Sequence, residues 1–244
     1  MPDWKPKRCV VVGASGAIGR AFVEQLLRRP DVELVYGLSR SAVEVEDSRF
    51  LSLSVDYQNP QTLQKAAETI AKTSPLDLVI VATGLLHAED GFGPEKSLRQ
   101  LDADALSRAY LINAVGPMLV AKSFLPLMVK TEKSVFAVLS ARVGSISDNR
   151  IGGWYGYRAA KAALNQMIRT AAIEQARRWP QGVIVGLHPG TVDSNLSKPF
   201  QRNVSPEKLF SPQQASAAML SVLERLEADD SGKVFAYDGS EVPA

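Results

Sequence analysis

The sequence predicts an α/β fold: one domain with a seven-stranded, doubly wound parallel sheet and helices on both of its faces. Short apolar runs of strand length alternate along the chain with longer segments in which apolar residues recur at helical spacing. The runs are apolar almost throughout, as expected of strands that are covered on both sides. Neither an internal repeat nor a linker divides the 244 residues, so we predict a single domain over residues 1–244.

The individual elements follow from these patterns in chain order. The first strand is β-branched and ends at Gly13, and the first helix ends before Pro30. Pro117 indicates a kink in the long third helix, and Ser211 followed by Pro212 marks the start of the last helix. The predicted strands are 9–12, 34–38, 50–55, 76–82, 135–139, 183–187 and 233–237, and the predicted helices are 17–29, 61–72, 103–129, 155–178 and 211–227.

The charge balance and the cysteine count exclude several classes of protein. Lys and Arg number 28 against 26 Asp and Glu, a net charge of +2, so no strong field favours nucleic acid or an anionic membrane as a partner. Cys9 is the single cysteine, which excludes an internal disulfide. The N-terminus lacks the apolar run of a secretion signal, and no stretch approaches about 18 consecutive apolar residues. We therefore expect a cytoplasmic protein.

The turn between the first strand and the first helix is rich in glycine and holds Gly13, Ser15, Gly16, Ile18 and Gly19. Glycines allow the backbone to turn tightly and to approach a pyrophosphate, and Gly19 allows the helix to pack on the strand. The amides and the dipole of the helix N-terminus attract negative charge. Any tight turn can use glycine, but at the first strand of an alternating α/β chain this turn predicts a dinucleotide site.

The end of the second strand indicates which dinucleotide is bound. A site for NAD usually carries an acidic residue about 20 residues past the glycines, where it binds the ribose diol. This chain has Ser39 and Arg40 there instead. A guanidinium and a hydroxyl suit a 2′-phosphate, which a carboxylate would repel. The sequence therefore favours NADPH over NADH, unless Arg40 is only a solvated loop residue.

Two further strand ends are predicted to line the same site, because open α/β sheets bind ligands at the carboxyl ends of their strands. Asp56 and Tyr57 follow the third strand, where a carboxylate can accept a hydrogen bond from an adenine amino group. Asp56 could equally cap the following helix. Ala82, Thr83 and Gly84 follow the fourth strand, and their small side chains would let the backbone pass close to a cofactor.

Tyr157 and Lys161 lie four residues apart near the start of a predicted long helix, so both side chains share one face. A free tyrosine has a pKa of about 10, too high for efficient proton transfer at neutral pH. A neighbouring ammonium favours the phenolate, and Lys161 is therefore expected to lower the pKa of Tyr157. The pair would act as an acid–base couple, with the lysine also holding the ribose hydroxyls of the nicotinamide.

Several motifs occur together in a familiar order: the glycine turn, residues 82–84, Asn113, the Tyr157/Lys161 pair and Pro189-Gly190. In this order they resemble the short-chain dehydrogenase/reductase family, over nearly the whole chain. Segments 140–146, 152–155 and 237–240 look most like its C-factor and sniffer-type carbonyl reductases. The resemblance implies a Rossmann fold, Tyr157 as the acid/base, Lys161 as the residue that lowers its pKa, and Asn113 as the holder of a proton-relay water. Asn113 could instead be structural, at the helix kink near Pro117.

Two departures from the family pattern concern the serine and the glycine spacing. Alignment on Gly144 puts Ala141 where the family has its catalytic serine, and Ser140 is preferred over Ser145 as the replacement. Alternate strand residues face opposite ways, so Ser140 replaces residue 141 only with a local twist. The Gly-x-x-Gly-x-x-Gly spacing is usual in sugar-nucleotide epimerases of the extended branch, whose C-terminal substrate domain this chain is too short to include.

The loop after the sixth strand borders the nicotinamide in the family. The resemblance therefore assigns Pro189, Gly190, Thr191, Val192 and Ser194 to the cofactor site, with Thr191 and Ser194 orienting the carboxamide. A lid is expected over approximately 193–210, with Phe200 and Phe210 as apolar walls or simply as packing residues. His87 and His188 are expected to be structural, and no cluster of residues suggests a metal site.

The functional expectation is an NADPH-dependent oxidoreductase that moves a hydride between the nicotinamide and a small aldehyde, ketone or alcohol. The alternative is a C-factor-like signalling protein that binds the dinucleotide with little turnover, and a weaker one is an epimerase that retains NAD. The helix that carries Tyr157 is apolar over a wide arc. In the family this helix often pairs with its mate in a second subunit, so a homodimer or homotetramer is expected.

Overall fold

The computed structural model describes residues 4–73 and 75–244. Its main sheet has seven parallel strands in the order β3-β2-β1-β4-β5-β6-β9, which confirms the doubly wound α/β prediction. A separate two-stranded parallel ladder pairs β7 with β8. The strands are β1 Arg8–Val12, β2 Leu34–Ser39, β3 Phe50–Ser54, β4 Leu78–Val81, β5 Ser134–Leu139, β6 Gly182–His188, β7 Thr191–Val192, β8 Leu209–Phe210 and β9 Val234–Ala236.

Helices cover both faces of this sheet. They are α1 Ala17–Leu27, α2 Gln61–Ile70, α3 Ala103–Tyr110, α4 Gly116–Phe124, α5 Tyr155–Gln175 and α6 Pro212–Arg225. On one face, α1 and α6 pack against the side chains of Cys9 and Val11. On the other face, α2, α4 and α5 pack against Val10 and Val12. Because successive strand residues face opposite ways, fully apolar strands fill both cores, which is why the strands lack in–out alternation.

The third predicted helix, 103–129, is divided rather than continuous. A π-helical turn at Leu111–Val115 separates α3 from α4, and a 3-10 turn at Leu125–Leu127 ends the segment. The irregularity therefore precedes Pro117, which sits in the first turn of α4, where a missing amide costs little. Gly116 is required here, because a Cβ at this position would lie 2.0 Å from the ring of Tyr57.

The stretch Ala103–Leu127 is long and apolar enough to cross a membrane by length and composition, because it contains an 18-residue window with a mean hydropathy of 1.3. This contradicts the expectation that no stretch approaches span length. Its residues Ala114, Val120 and Phe124 are fully buried in the core between α2, α5 and the sheet. Core helices of globular folds pass the same test, and 44% of the apolar window of this segment is buried inside the fold.

Candidate active site

The turn from β1 to α1 is built as the glycine pattern predicts. Gly13 has a φ of +86°, and a Cβ there would lie 3.0 Å from the backbone of Ala82. Gly19 is packed more tightly, because its Cβ would lie 2.1 Å from the carbonyl oxygen of Gly13. Gly16 is the N-cap of α1, and no side chain caps the helix. The first amides of α1 are therefore available to an anion.

Two adjoining cavities form a groove along the carboxyl ends of the strands. The first, about 400 Å³ in volume, brings together ten predicted cofactor residues: Gly13, Ser15, Gly16, Ser39, Arg40, Asp56, Tyr57, Ala82, Thr83 and Gly84. The second, about 700 Å³, shares Ser15, Gly16, Ala82 and Gly84 with the first and adds Ile18 and Ser194. A groove of this length, running past an uncapped helix N-terminus, fits an extended dinucleotide.

The groove ends at Arg40, which is exposed and follows β2 directly. Ser39 is buried and donates its hydroxyl proton to the carbonyl oxygen of Ser41 at 2.5 Å, so its hydroxyl shapes the loop. One carboxylate oxygen of Asp56 accepts from the amide of Gln58 at 2.9 Å. Asp56 therefore stabilises its own turn while it lines the groove, but it does not cap the following helix, whose N-cap is Pro60.

Tyr57 and Thr83 join two of the strand ends. Their hydroxyl oxygens lie 2.9 Å apart, and the ring of Tyr57 is buried against Gly116. Burial raises the pKa of Tyr57. Its phenol is therefore a neutral hydrogen-bonding group that fixes the floor of the groove.

Tyr157 and Lys161 occupy the first two turns of α5, as predicted. Nζ of Lys161 donates to the carbonyl oxygen of Leu139 at the end of β5, at 2.8 Å, and lies 5.7 Å from the ring centroid of Tyr157. Lys161 is 2% exposed, and burial lowers its pKa to about 7. Burial raises the pKa of Tyr157 to about 12, opposite to the expected direction. Desolvation outweighs the attraction of the ammonium because the same burial neutralises Lys161 near neutral pH.

The buried ammonium of Lys161 makes folding stability depend on pH. Below a pH of about 7 both folded and unfolded states bind the proton, and between about 7 and 10.5 only the unfolded state does. The free energy of unfolding therefore rises through this window, by up to about 1.4 kcal/mol per pH unit for this one group. Relative to Lys161→Met, the cofactor-free wild-type protein should gain stability between about pH 7 and pH 9 in urea denaturation. A difference that stays constant with pH would contradict this.

Asn113 lies in the π-helical turn, and its side chain is fully engaged with the backbone. Oδ1 accepts from the amide of Leu85 at 3.0 Å, and Nδ2 donates to the carbonyl oxygens of Leu85 at 2.8 Å and Ala109 at 3.0 Å. These bonds tie the loop after β4 to the helix. The amide group therefore acts as a structural clamp at the kink, and both of its N–H groups are used. The role of Asn113 in holding a water stays a prediction.

The two candidate serines both have other partners. Ser140 is buried and donates its hydroxyl proton to Oδ1 of Asn165, one turn beyond Lys161 on α5, at 2.5 Å. The hydroxyl of Ser145 accepts from the amide of Asp148 at 3.1 Å and lies 3.3 Å from the carbonyl oxygen of Ala244. Asn165 was missed by the sequence reasoning, although its spacing of four from Lys161 places it on the same helix face.

The predicted lid segment, 193–210, follows β7 and ends in β8, which pair through Thr191 with Leu209 and Val192 with Phe210. Its residues Asp193, Ser194, Asn195, Leu196 and Lys198 line the second cavity. Nε2 of His87 lies 2.8 Å from the carbonyl oxygen of Asn195 and so joins the lid to the loop after β4. His87 therefore does more than the sequence suggested: it holds the lid against the groove.

The two lid phenylalanines have different surroundings. The ring of Phe200 lies 4.9 Å from that of Trp154, which itself lies 6.2 Å from the ring of Tyr157. The ring of Phe210 instead packs 4.6 Å from Tyr237 and against Gly190. Phe200 thus packs on Trp154, which lies beside Tyr157, so its role as an apolar wall stays a prediction, whereas Phe210 is a packing residue. Trp154 lies in the 152–155 segment that carries the resemblance, but no role was assigned to it from the sequence.

The loop after β6 contributes less to the groove than the resemblance implies. Gly190 has a φ of +75° and packs against Phe210, and Val192 is buried. Of the five residues assigned there, only Ser194 lines the cavities described above. Pro189, Gly190, Thr191 and Val192 lie between β6 and the lid, so their assignment to the cofactor stays a prediction.

His188 ends β6, and its Nδ1 is buried without a hydrogen-bond partner in the described part of the chain. Burial lowers its pKa to about 4, so the imidazole is neutral at physiological pH. Within residues 4–73 and 75–244, no group of three or more His, Cys, Asp and Glu side chains is arranged to hold a metal.

Comparison with known proteins identifies the family. The sequence model of the short chain dehydrogenase family matches residues 7–205. The chain belongs to the short-chain dehydrogenase family. C-signal of Myxococcus xanthus is 32% identical over 180 residues, which are 73% of this chain and 99% of that protein. These matches confirm the family that the order of motifs predicted.

Two solved structures share the fold. The NADPH-bound carbonyl reductase from chicken fatty liver superposes with a TM-score of 0.86 at 22% identity and covers 100% of this chain and 96% of its own. The carbonyl reductase Sniffer of D. melanogaster superposes with a TM-score of 0.83 at 20% identity. The match covers 98% of this chain and 99% of that one. The Rossmann fold and the predicted resemblance to C-factor and sniffer-type proteins are thereby confirmed.

Proposed function

We propose that this short-chain dehydrogenase is an NADPH-dependent carbonyl reductase for small aldehydes or ketones. The observation that carries the proposal is the placement of Tyr157 over Lys161 at the start of α5. None of the described residues hydrogen-bonds to the hydroxyl of Tyr157, which leaves its proton available to a substrate. The carbonyl reductases that share the fold support the same interpretation.

The residues of the groove fit a nicotinamide dinucleotide phosphate. Such a cofactor supplies the hydride that reduces the carbonyl carbon. The amides at the N-terminus of α1 would hold the pyrophosphate, and Arg40 would face the 2′-phosphate. Asp56 would accept from the adenine amino group at the same end of the groove.

Tyr157 would donate a proton to the carbonyl oxygen as the oxygen gains negative charge. Its pKa of about 12 keeps the phenol protonated at neutral pH, so the proton is present for reduction, but it also makes the phenol a weaker acid than a free tyrosine. Ala141 offers no hydroxyl, and the proton of Ser140 goes to Asn165. Tyr157 therefore carries the stabilisation of the oxygen with less help than a serine would give it.

A second candidate is a signalling protein that binds the dinucleotide without much turnover. Ala141 in place of the serine favours it, as does the 32% identity with C-signal. Tight binding of NADPH without reduction of any carbonyl would favour this candidate. Turnover of NADPH with an aldehyde panel would favour the reductase, and this assay is the test of the proposal.

Arg40 is the residue that we expect to set the preference for NADPH. Removal of one charge-assisted contact to phosphate costs about 1.5–3 kcal/mol, so Arg40→Ala should weaken NADPH binding about 10- to 100-fold. The affinity for NADH should barely change, because NADH lacks the 2′-phosphate. Fluorescence titration with both nucleotides measures the ratio.

The control for Arg40 is Arg177→Ala, an exposed arginine just beyond α5. It removes the same charge and should leave both affinities unchanged. An equal loss for NADPH and NADH in Arg40→Ala would assign the arginine to the loop rather than to the phosphate.

We further propose that the protein works in the cytoplasm as a homodimer or homotetramer. The exposed apolar side chain of Ile173 on α5, which is 63% accessible, supports association through this helix. Light scattering from the purified protein tests the oligomeric state, and a monomer at micromolar concentration would contradict it.

A further inference from the structure

The helix that carries Tyr157 begins without a cap of its own. Its N-cap residue, Trp154, has a φ of +54° and makes no side-chain hydrogen bond to the first turn. Gly152 and Gly153 also have positive φ angles, so three consecutive residues before α5 are left-handed. A tryptophan in this region is strained, and it stays there only where its surroundings hold it.

Glu95 supplies the missing contacts from a distant part of the chain. Its Oε2 accepts from the amide of Gly156 at 3.0 Å, and its carbonyl oxygen accepts from the amide of Trp154 at 2.5 Å. Glu95 lies 61 residues before Gly156, in the loop between β4 and α3. One residue therefore bonds to two amides at the start of α5, in the way that an N-cap residue bonds to one.

The carboxylate of Glu95 is buried, with 8% of the residue exposed. No ion pair involving Glu95 is formed within residues 4–73 and 75–244, so the positive end of the α5 dipole is its main compensation. Its other oxygen, Oε1, would lie 2.8 Å from a Cβ at residue 156, which explains the glycine at that position. Both oxygens of the carboxylate thus lie against the first turn of the helix.

Tyr157 follows Gly156 directly, and the indole of Trp154 packs against the phenol ring. Glu95 therefore holds both residues that neighbour the phenol: Gly156 through its carboxylate and Trp154 through its carbonyl oxygen. We propose that Glu95 is a positioning residue: it fixes the first turn of α5 and thereby the orientation of Tyr157. This inference rests on the proposed function only for its effect on turnover.

Three substitutions of Glu95 separate geometry from charge. Glu95→Ala removes the acceptor, Glu95→Gln keeps an oxygen within reach of Gly156, and Glu95→Asp keeps the charge but withdraws it by one methylene. We expect the turnover number of Glu95→Ala and Glu95→Asp to fall about 10- to 100-fold, because a misplaced catalytic group costs this much. NADPH affinity should be little changed, and Glu95→Gln should recover most of the turnover.

Hydrogen exchange provides a readout that does not depend on activity. The amides of Trp154 and Gly156 should exchange faster in Glu95→Ala and Glu95→Asp than in the wild type and in Glu95→Gln. Glu132→Ala, an exposed glutamate before β5, is the control and should match the wild type in every measurement.

Either of two results would overturn the proposal: unchanged exchange at the start of α5 in Glu95→Ala, or faster exchange with full turnover. If the wild type reduces no carbonyl, the proposed function fails, and the exchange data alone decide whether Glu95 fixes the first turn. If Glu95→Ala does not fold, Glu95→Asp supplies the same comparison.

Discussion

Tyr157→Phe should lose about 10²- to 10⁴-fold in turnover number, the range expected when a general acid is removed. The substitution keeps the aromatic ring, so the contacts with Trp154 and Lys161 remain. It removes only the hydroxyl, which makes no hydrogen bond to the described residues, and stability should therefore change little. Steady-state consumption of NADPH with an aldehyde measures the loss.

Tyr155→Phe is a matched control for this substitution. Tyr155 lies two residues earlier in α5 and is 37% exposed, and its substitution by phenylalanine also removes one phenol hydroxyl. Its turnover and its affinity for NADPH should equal those of the wild type, and the affinity of Tyr157→Phe should also be retained. Normal turnover in Tyr157→Phe would remove this tyrosine from the reaction and would favour a protein that only binds the dinucleotide.

Gly19→Ala should destabilise the protein and weaken NADPH binding together. Alanine within a helix normally stabilises it by about 0.5–1 kcal/mol relative to glycine. Here the new Cβ would lie 2.1 Å from the carbonyl oxygen and 2.7 Å from the carbonyl carbon of Gly13, both backbone atoms. The turn must therefore move, and we expect a loss of about 1–3 kcal/mol or more in the free energy of unfolding.

Gly93→Ala is the control for steric crowding, because a Cβ at residue 93 meets nothing within 4 Å. Gly16→Ala is an intermediate case, with a Cβ 3.3 Å from the same carbonyl oxygen of Gly13. We expect the losses measured by urea denaturation and NADPH titration to be largest for Gly19→Ala, smaller for Gly16→Ala and smallest for Gly93→Ala. A Gly19→Ala variant as stable as Gly93→Ala would show that the helix can shift away without disturbing the turn.

Much of the fold could be predicted because the physics that determines it is local in sequence. Every strand of the main sheet lies near its predicted place, although the edge strand β3 alternates apolar residues with serines, and the turn at Gly13 has the positive φ that its glycine implies. The π-helical turn around Asn113 could not be predicted, since it depends on hydrogen bonds to Leu85, 28 residues away. The sequence pattern indicated a kink at Pro117 instead, because proline is the local signal of an interrupted helix.

In the candidate site, too, the positions that follow from local spacing were predictable, and the properties that depend on the folded chain were not. Tyr157 and Lys161 lie where their spacing put them, but the direction of the pKa shift depends on burial, which no spacing reveals. Ser140 was a reasonable replacement for the missing hydroxyl, yet the structure gives its proton to Asn165. Glu95 carried no signal at all, because its partners in α5 are neighbours only in the folded chain.

The short ladder between β7 and β8 has a consequence for how this protein could change over time. It holds the two ends of the 193–210 segment side by side. The loop is therefore closed by these two residue pairs, and a longer or shorter segment between them adds little further entropic cost. The segment between them can vary in length and composition without moving the seven strands or the glycine turn. Because its first residues, among them Ser194, also line the second cavity of the groove, substitutions near the start of the segment would act on the groove as well, whereas those further along it would not.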